Sequence, residues 1–136
     1  MTMRTALFGL VALLALANCR GDETVAGYGG GDTTWRLLEL DGEAFKPRAT
    51  LQLGAKGEIS GEAPCNRYFG TQTAPYPWFK AEKIGATRRA CPELEAETAF
   101  LAALSAMTLS EVLSDTLILS NDAGREMVFK AETPQN

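Results

Sequence analysis

Apolar and polar positions alternate in short runs along most of this chain, and turn-forming residues cut the runs. Residues 35–40 (WRLLEL) end at Asp41-Gly42, which predicts a strand closed by a turn. Residues 50–53 alternate and stop at Gly54; Gly57 follows, and residues 58–60 resume. Those two runs predict a hairpin with a loop of a few residues. Residues 66–69 form a further short strand stopped by Gly70. Residues 78–84 form another, entered through Pro75 and Pro77, which favour extended backbone. The period then changes. Between residues 92 and 106, Leu94, Thr98, Phe100, Leu101 and Leu104 fall on one broad helical face. Pro92 suits a first helical position, and Glu93, Glu95 and Glu97 set negative charge at the positive end of the helix dipole. Residues 110–113, 116–120 and 126–130 return to strand, separated by Ser114-Asp115 and by the turn formers from Asn121 to Gly124. Short strands on both sides of one helix predict an antiparallel α+β domain.

The first nineteen residues follow another pattern. One basic residue, Arg4, precedes an unbroken apolar run of twelve, Ala6 to Ala17, and Leu16-Ala17-Asn18-Cys19 closes it. This is the layout of a secretory signal. Spanning a bilayer takes ~20 apolar residues, so the run is too short for a permanent transmembrane helix. The cysteine at the cut resembles a bacterial lipoprotein signal, in which residues 1–18 are removed and Cys19 is lipidated. Cleavage after Ala15-Leu16-Ala17 is the competing reading. It releases a soluble periplasmic protein starting at Asn18, with Cys19 left as an odd thiol in an oxidising space. Residues 19–32 are Gly-rich and read as a flexible tether, which favours the anchored form. Arg20 is not the aspartate that marks inner-membrane retention, so the periplasmic face of the outer membrane is the expected address.

Residues 33–132 then make one domain of ordinary size, followed by a tail, 133–136. Removing residues 1–18 takes away only Arg4, so 12 basic face 17 acidic residues, a net of −5. An acidic domain without a basic run excludes nucleic acid as the expected partner. With Cys19 carrying lipid, Cys65 and Cys91 remain as an even pair in a disulfide-permissive compartment. A bridge between them stabilises by about 3.5 kcal/mol in the chain-entropy model; two buried free thiols are the alternative.

Several of these pieces line up with one family. Gly61, Cys65-Asn66-Arg67-Tyr68-Phe69-Gly70, Thr87-Arg88-Arg89-Ala90-Cys91, and then Glu97 and Phe100 resemble the META domain, also called HslJ-like. Trp35-Arg36-Leu37, Thr50-Leu51, Leu117 and Leu119 match as well. The resemblance implies a small antiparallel, partly open barrel-like β-sheet with one main helix packed against it. It also implies the setting of bacterial envelope lipoproteins associated with heat shock and antibiotic tolerance. It supplies no catalytic residue set; Asn66, Tyr68, Gly70, Thr87 and Glu97 are its motif positions, structural or binding.

The candidate chemistry is sparse. There is no histidine, which removes Ser-His-Asp and Cys-His catalysis and most zinc sites. No metal or cofactor is expected. Glu58, Glu62 and the helix glutamates could supply a carboxylate pair, but nothing in the pattern points to a cleft between two of them. Glu97 falls inside the apolar arc of the helix, where a carboxylate must be paired. Arg88 and Arg89 just upstream are its expected partners, in a half-buried ion pair; a ligand-facing carboxylate is the functional reading. The Asn66 amide is expected to satisfy backbone groups of a neighbouring loop. Lys80, Lys83, Arg88 and Arg89 read as a solvated basic face. Trp78 has its simplest home in the core, while Tyr76 stands between core and surface; exposed, the two make a candidate partner surface. The reading is therefore a non-catalytic domain held to the membrane by its lipid, binding a protein or small ligand. The alternative is an inhibitor of an envelope-directed hydrolase, acting through residues 76–79. An enzyme is the least favoured reading.

Overall fold

In the computed structural model, residues 21–132 are described. Cys19, the signal segment and the tail lie outside them. A 3₁₀ turn, Val25–Tyr28, leads into β1 (Thr34–Leu40), the two-residue β2 (Glu43–Ala44), β3 (Thr50–Leu53) and β4 (Glu58–Glu62). Next come β5 (Arg67–Thr71), β6 (Glu82–Ala86) and the helix α1 (Leu94–Ala106). Then follow β7 (Leu109–Leu113), β8 (Thr116–Ser120) and β9 (Glu126–Ala131). Eight strands form one antiparallel sheet in the order β6-β5-β4-β3-β1-β9-β8-β7, and β2 pairs with β1 off this path. The sheet curls into a half-barrel with α1 packed against it, as the sequence pattern and the family resemblance lead one to expect.

Alternation decides the inner face. Trp35 and Leu37 of β1, Leu51 of β3, Tyr68 of β5, Leu117 and Leu119 of β8, and Met127 and Phe129 of β9 are all buried. The alternation in β1 breaks at a bulge opposite β9, between Leu37 and Glu39, and Leu38 is left exposed. From the helix, Phe100, Ala103 and Leu104 join this core at zero exposure. The helix ends where the Asn121 amide donates to the Ala106 carbonyl at 3.0 Å, satisfying one of its orphan acceptors.

Three expectations are corrected. Helix α1 starts at Leu94, after a turn at Pro92 and Glu93, so Leu94 sits before the packed face and is 44% exposed. The strand expected over 78–84 is displaced to β6, and residues 77–79 instead pair with β7 at the far edge. There Phe79 donates to Thr108 O at 2.9 Å, Ser110 to Pro77 O at 2.7 Å, and Trp78 bridges Leu109. This short connector stitches the chain entering one sheet edge to the other. The third concerns the expected tether: its described part belongs to the fold. Val25 is fully buried, and the Trp35 indole N–H donates to Gly30 O at 2.8 Å. A Cβ on Gly30 would stand 2.8 Å from Leu53 Cδ1 and 2.7 Å from Val25 O. This glycine permits close packing; it does not supply a loose chain.

The helix face gives a direct test. Phe100→Ala should lose about 3–5 kcal/mol of stability in urea denaturation, as for a large core truncation. Leu94→Ala should stay within about 0.5 kcal/mol. Similar losses at both positions would contradict this placement of α1.

Candidate functional site

The turn between β4 and β5 closes when the Ala63 N–H donates to Asn66 O at 2.7 Å. That turn leaves the backbone N–H groups of Cys65 and Asn66 aimed at the first turn of α1. Both reach Glu97 Oε1, at 3.0 and 2.8 Å. The Asn66 side-chain amide donates to Glu97 Oε2 at 2.7 Å and to Arg89 O at 3.0 Å. Its Oδ1 accepts from the Arg89 N–H at 2.6 Å and from the Thr87 hydroxyl at 3.0 Å. Both amide hydrogens and both carbonyl lone pairs of Asn66 are therefore in use. Thr87 Oγ1 in turn accepts from the Arg67 N–H at 3.2 Å. Asn66 thus holds the loop before the helix, as its sequence position suggests.

Glu97 has different partners from those expected. It is 4% exposed, yet its carboxylate is held by N–H donors, and the ion pair with Arg88 or Arg89 is absent. Both arginine side chains face solvent. Arg89 contributes only its backbone. Cys65 and Cys91 form a disulfide with Cα atoms 5.6 Å apart, tying the same turn to the approach of α1. Glu93 lies close to both sulfurs, but sulfurs bonded to each other cannot act as thiolate ligands.

Behind this node, the Tyr68 hydroxyl donates to Thr50 O at 2.5 Å. Burial pushes the phenol pKa far up and keeps it neutral. Gly61 lies opposite Tyr68 in the ladder, and a Cβ there would stand 2.8 Å from that hydroxyl and 2.1 Å from Thr50 O. The Tyr68 ring meets Phe100 edge-on, with centroids 5.5 Å apart. Gly70 sits where β5 shifts register against β6, and a Cβ would be 2.8 Å from Glu82 O.

The remaining candidates lie elsewhere. Tyr76 is half-buried and stacks on Tyr28, centroids 4.8 Å apart. Trp78 is 56% exposed, against its expected core placement, because Phe79 beside it takes the inward position at 2%. The buried Gln72, which the sequence reading passed over, braces their loop. Its side chain bonds both backbone groups of Ala74 and the Lys80 N–H. A glutamine just past a strand carries no signal of burial.

On the outer face, a depression is lined by residues including Arg48, Gln52, Ser60, Glu62, Arg67 and Glu132. Arg48 binds Glu62 at 2.6 Å and Glu132 at 2.5 Å. The guanidinium holds the Glu132 carboxyl below its ordinary range. Both carboxylates are engaged by one cation. Lys80 is likewise paired, with Glu82 at 2.9 Å.

Residues 29–134 match the META domain family. This chain belongs to the META domain family. Its fold is similar to a protein from Burkholderia xenovorans solved by NMR, at TM-score 0.65 and 27% identity, covering 81% of this chain and 88% of that one. A DUF4847 family protein from Bacteroides vulgatus ATCC 8482 is similar at TM-score 0.61 and 16% identity, covering 82% and 99%. At that identity the likeness concerns the fold alone. No curated protein matches the sequence.

The node gives two expectations. In this META domain, Glu97→Gln exchanges one acceptor oxygen for a donor facing donors. It should cost about 1.5–3 kcal/mol in chemical denaturation, the range for hydrogen bonds to charged groups; a loss under about 0.5 kcal/mol would show that the contact is dispensable. Replacing both Cys65 and Cys91 by Ser should cost ~2–4 kcal/mol, a melting temperature very roughly 8–30 °C lower. Thiol labelling of the unfolded, unreduced protein should find neither cysteine reactive.

Proposed function

We propose that this META domain is a non-catalytic module, anchored through lipid on Cys19 at the periplasmic face of the outer membrane. There it binds a protein or small ligand and contributes to tolerance of envelope stress such as heat or antibiotics. The observation that carries the non-catalytic part is the state of the buried polar side chains. Among the described residues, no buried side-chain nitrogen or oxygen lacks a hydrogen-bond partner. Glu97, Asn66, Thr87, Tyr68 and Gln72 are all engaged in holding backbone or one another. A motif engaged in this way leaves recognition to the surface. The anchored part is supported by the signal anatomy, by Cys19 at the cut, and by a disulfide that fits an oxidising compartment. No helix among the described residues is long and apolar enough to cross a membrane. The stress role is supported by the family resemblance.

Mass spectrometry of the membrane fraction should find an N-terminal peptide beginning at a diacylglycerol-modified Cys19. A soluble form beginning at Asn18 would overturn the anchored reading. Pull-down from envelope extracts should recover a partner without turnover in a broad substrate screen. A hydrolase as the dominant partner would move the reading to inhibition, and turnover would move it to an enzyme.

A further inference from the structure

If the chain is anchored at Cys19, the fold leaves it very little slack. The Glu23 carbonyl already accepts the Tyr76 N–H at 2.7 Å. Four peptide steps separate Cys19 from Glu23, and a chain spans at most ~3.3–3.6 Å per residue. The anchored Cα therefore lies within about 14 Å of Glu23.

Glu23 is fixed to the loop that carries the exposed aromatics. Tyr76, bonded to it, stacks on Tyr28 at 4.8 Å. Trp78 lies two residues further on, its N–H closing a turn to Pro75 O at 2.8 Å. Tyr28 and Trp78 are 57% and 56% exposed, the most exposed aromatics after Phe69 among the described residues. Phe69 belongs to the other end of the sheet, over β6. Gln72 braces the Trp78 loop from within, so the indole is presented on a preformed support. Tyrosine and tryptophan combine an apolar ring with a polar edge, and they concentrate at the water–lipid boundary for that reason. A weak aromatic contact gains from being made intramolecular by a short link. Asp22 and Glu23 beside the patch are exposed acids, and the mature chain is net negative. This charge suits a zwitterionic headgroup layer over an anionic one.

We propose that Tyr28, Tyr76 and Trp78 form a membrane-contacting surface. It seats the domain on the phospholipid headgroup region of the leaflet that holds the acyl chains of Cys19. The proposal rests on the anchored reading and deepens it, since the domain then lies on the bilayer in one orientation.

The test uses the full acylated chain, purified from membranes and reconstituted into phosphatidylcholine vesicles. The comparison is the unacylated Cys19→Ser chain in solution. Trp35 is 1% exposed, so quenching by iodide reads Trp78. In vesicles, iodide quenching should fall severalfold and emission should shift to the blue. Lipid spin-labelled at the headgroup should quench the same residue. Trp78→Phe, a surface change, should abolish all three signals. Signals that persist in Trp78→Phe arise from Trp35 and overturn the proposal. Iodide access that stays unchanged in the acylated, vesicle-bound chain also overturns it, leaving the patch to a protein partner and the lipid anchor intact. An N-terminal peptide without acyl groups overturns this proposal and the anchored reading together.

Discussion

The carboxylate of Glu97 accepts two backbone N–H groups from the β4–β5 turn and a third bond from the Asn66 amide. A carboxyl group at 4% exposure is tolerable only when its oxygens are satisfied, and three donors at 2.7–3.0 Å do that. Its place in the first turn of α1 adds the favourable end of the helix dipole. The helix cannot slide along the sheet without stripping these donors from a buried charge. One turn further along α1, Phe100 is thereby set edge-on to Tyr68, whose hydroxyl reaches across the Gly61 gap to Thr50. The disulfide ties the same turn covalently to the residues leading into α1. Charge, ring packing and covalent link all act at one junction, so helix and sheet are positioned together.

Strand positions were largely legible because turn residues interrupt the alternating runs, and those runs recur as β1, β3, β4, β5, β7, β8 and β9. The burial of Glu97 was legible too, from its place in the apolar arc. Its partners were not. Arginines nearby in sequence are visible as charges, whereas every residue carries a backbone N–H and nothing marks the two that a turn will aim at a helix. The segment before β1 differs from its expected looseness for a related reason. Glycine permits both a loose chain and a close approach, and only the neighbours of Gly30 decide between them; Val25 was the apolar clue. Trp78 illustrates a further limit. In Trp78-Phe79 either ring could face inward, and the pairing of residues 77–79 with β7 settles which one does.

The outer face is neutralised with similar economy. Arg48 draws Glu62 of β4 and Glu132, just past β9, onto one guanidinium, and Arg125 binds Asp41 at the β1–β2 turn at 2.9 Å. Exposed pairs like these contribute only ~0–1 kcal/mol each. Their larger consequence is chemical: arginine holds the Glu132 and Asp41 carboxyls below their ordinary range, which makes these two poorer proton acceptors.

What the domain can vary without disturbing its own frame is therefore confined to segments outside the Glu97 junction and the Arg48 clip. The 72–80 loop and the residues preceding β1 carry the exposed Trp78 and Tyr28, and they are hydrogen-bonded to each other at Glu23 and Tyr76. Their coupling has a mechanical consequence. A domain on a long flexible chain can present any face to its surroundings, but here Glu23, ahead of β1, is bonded to the loop that displays Trp78. Any constraint applied upstream of Glu23 is transmitted to that loop through a backbone hydrogen bond and an aromatic stack, with no slack between them. The direction in which the chain enters the fold and the surface that the loop offers are one property of this META domain.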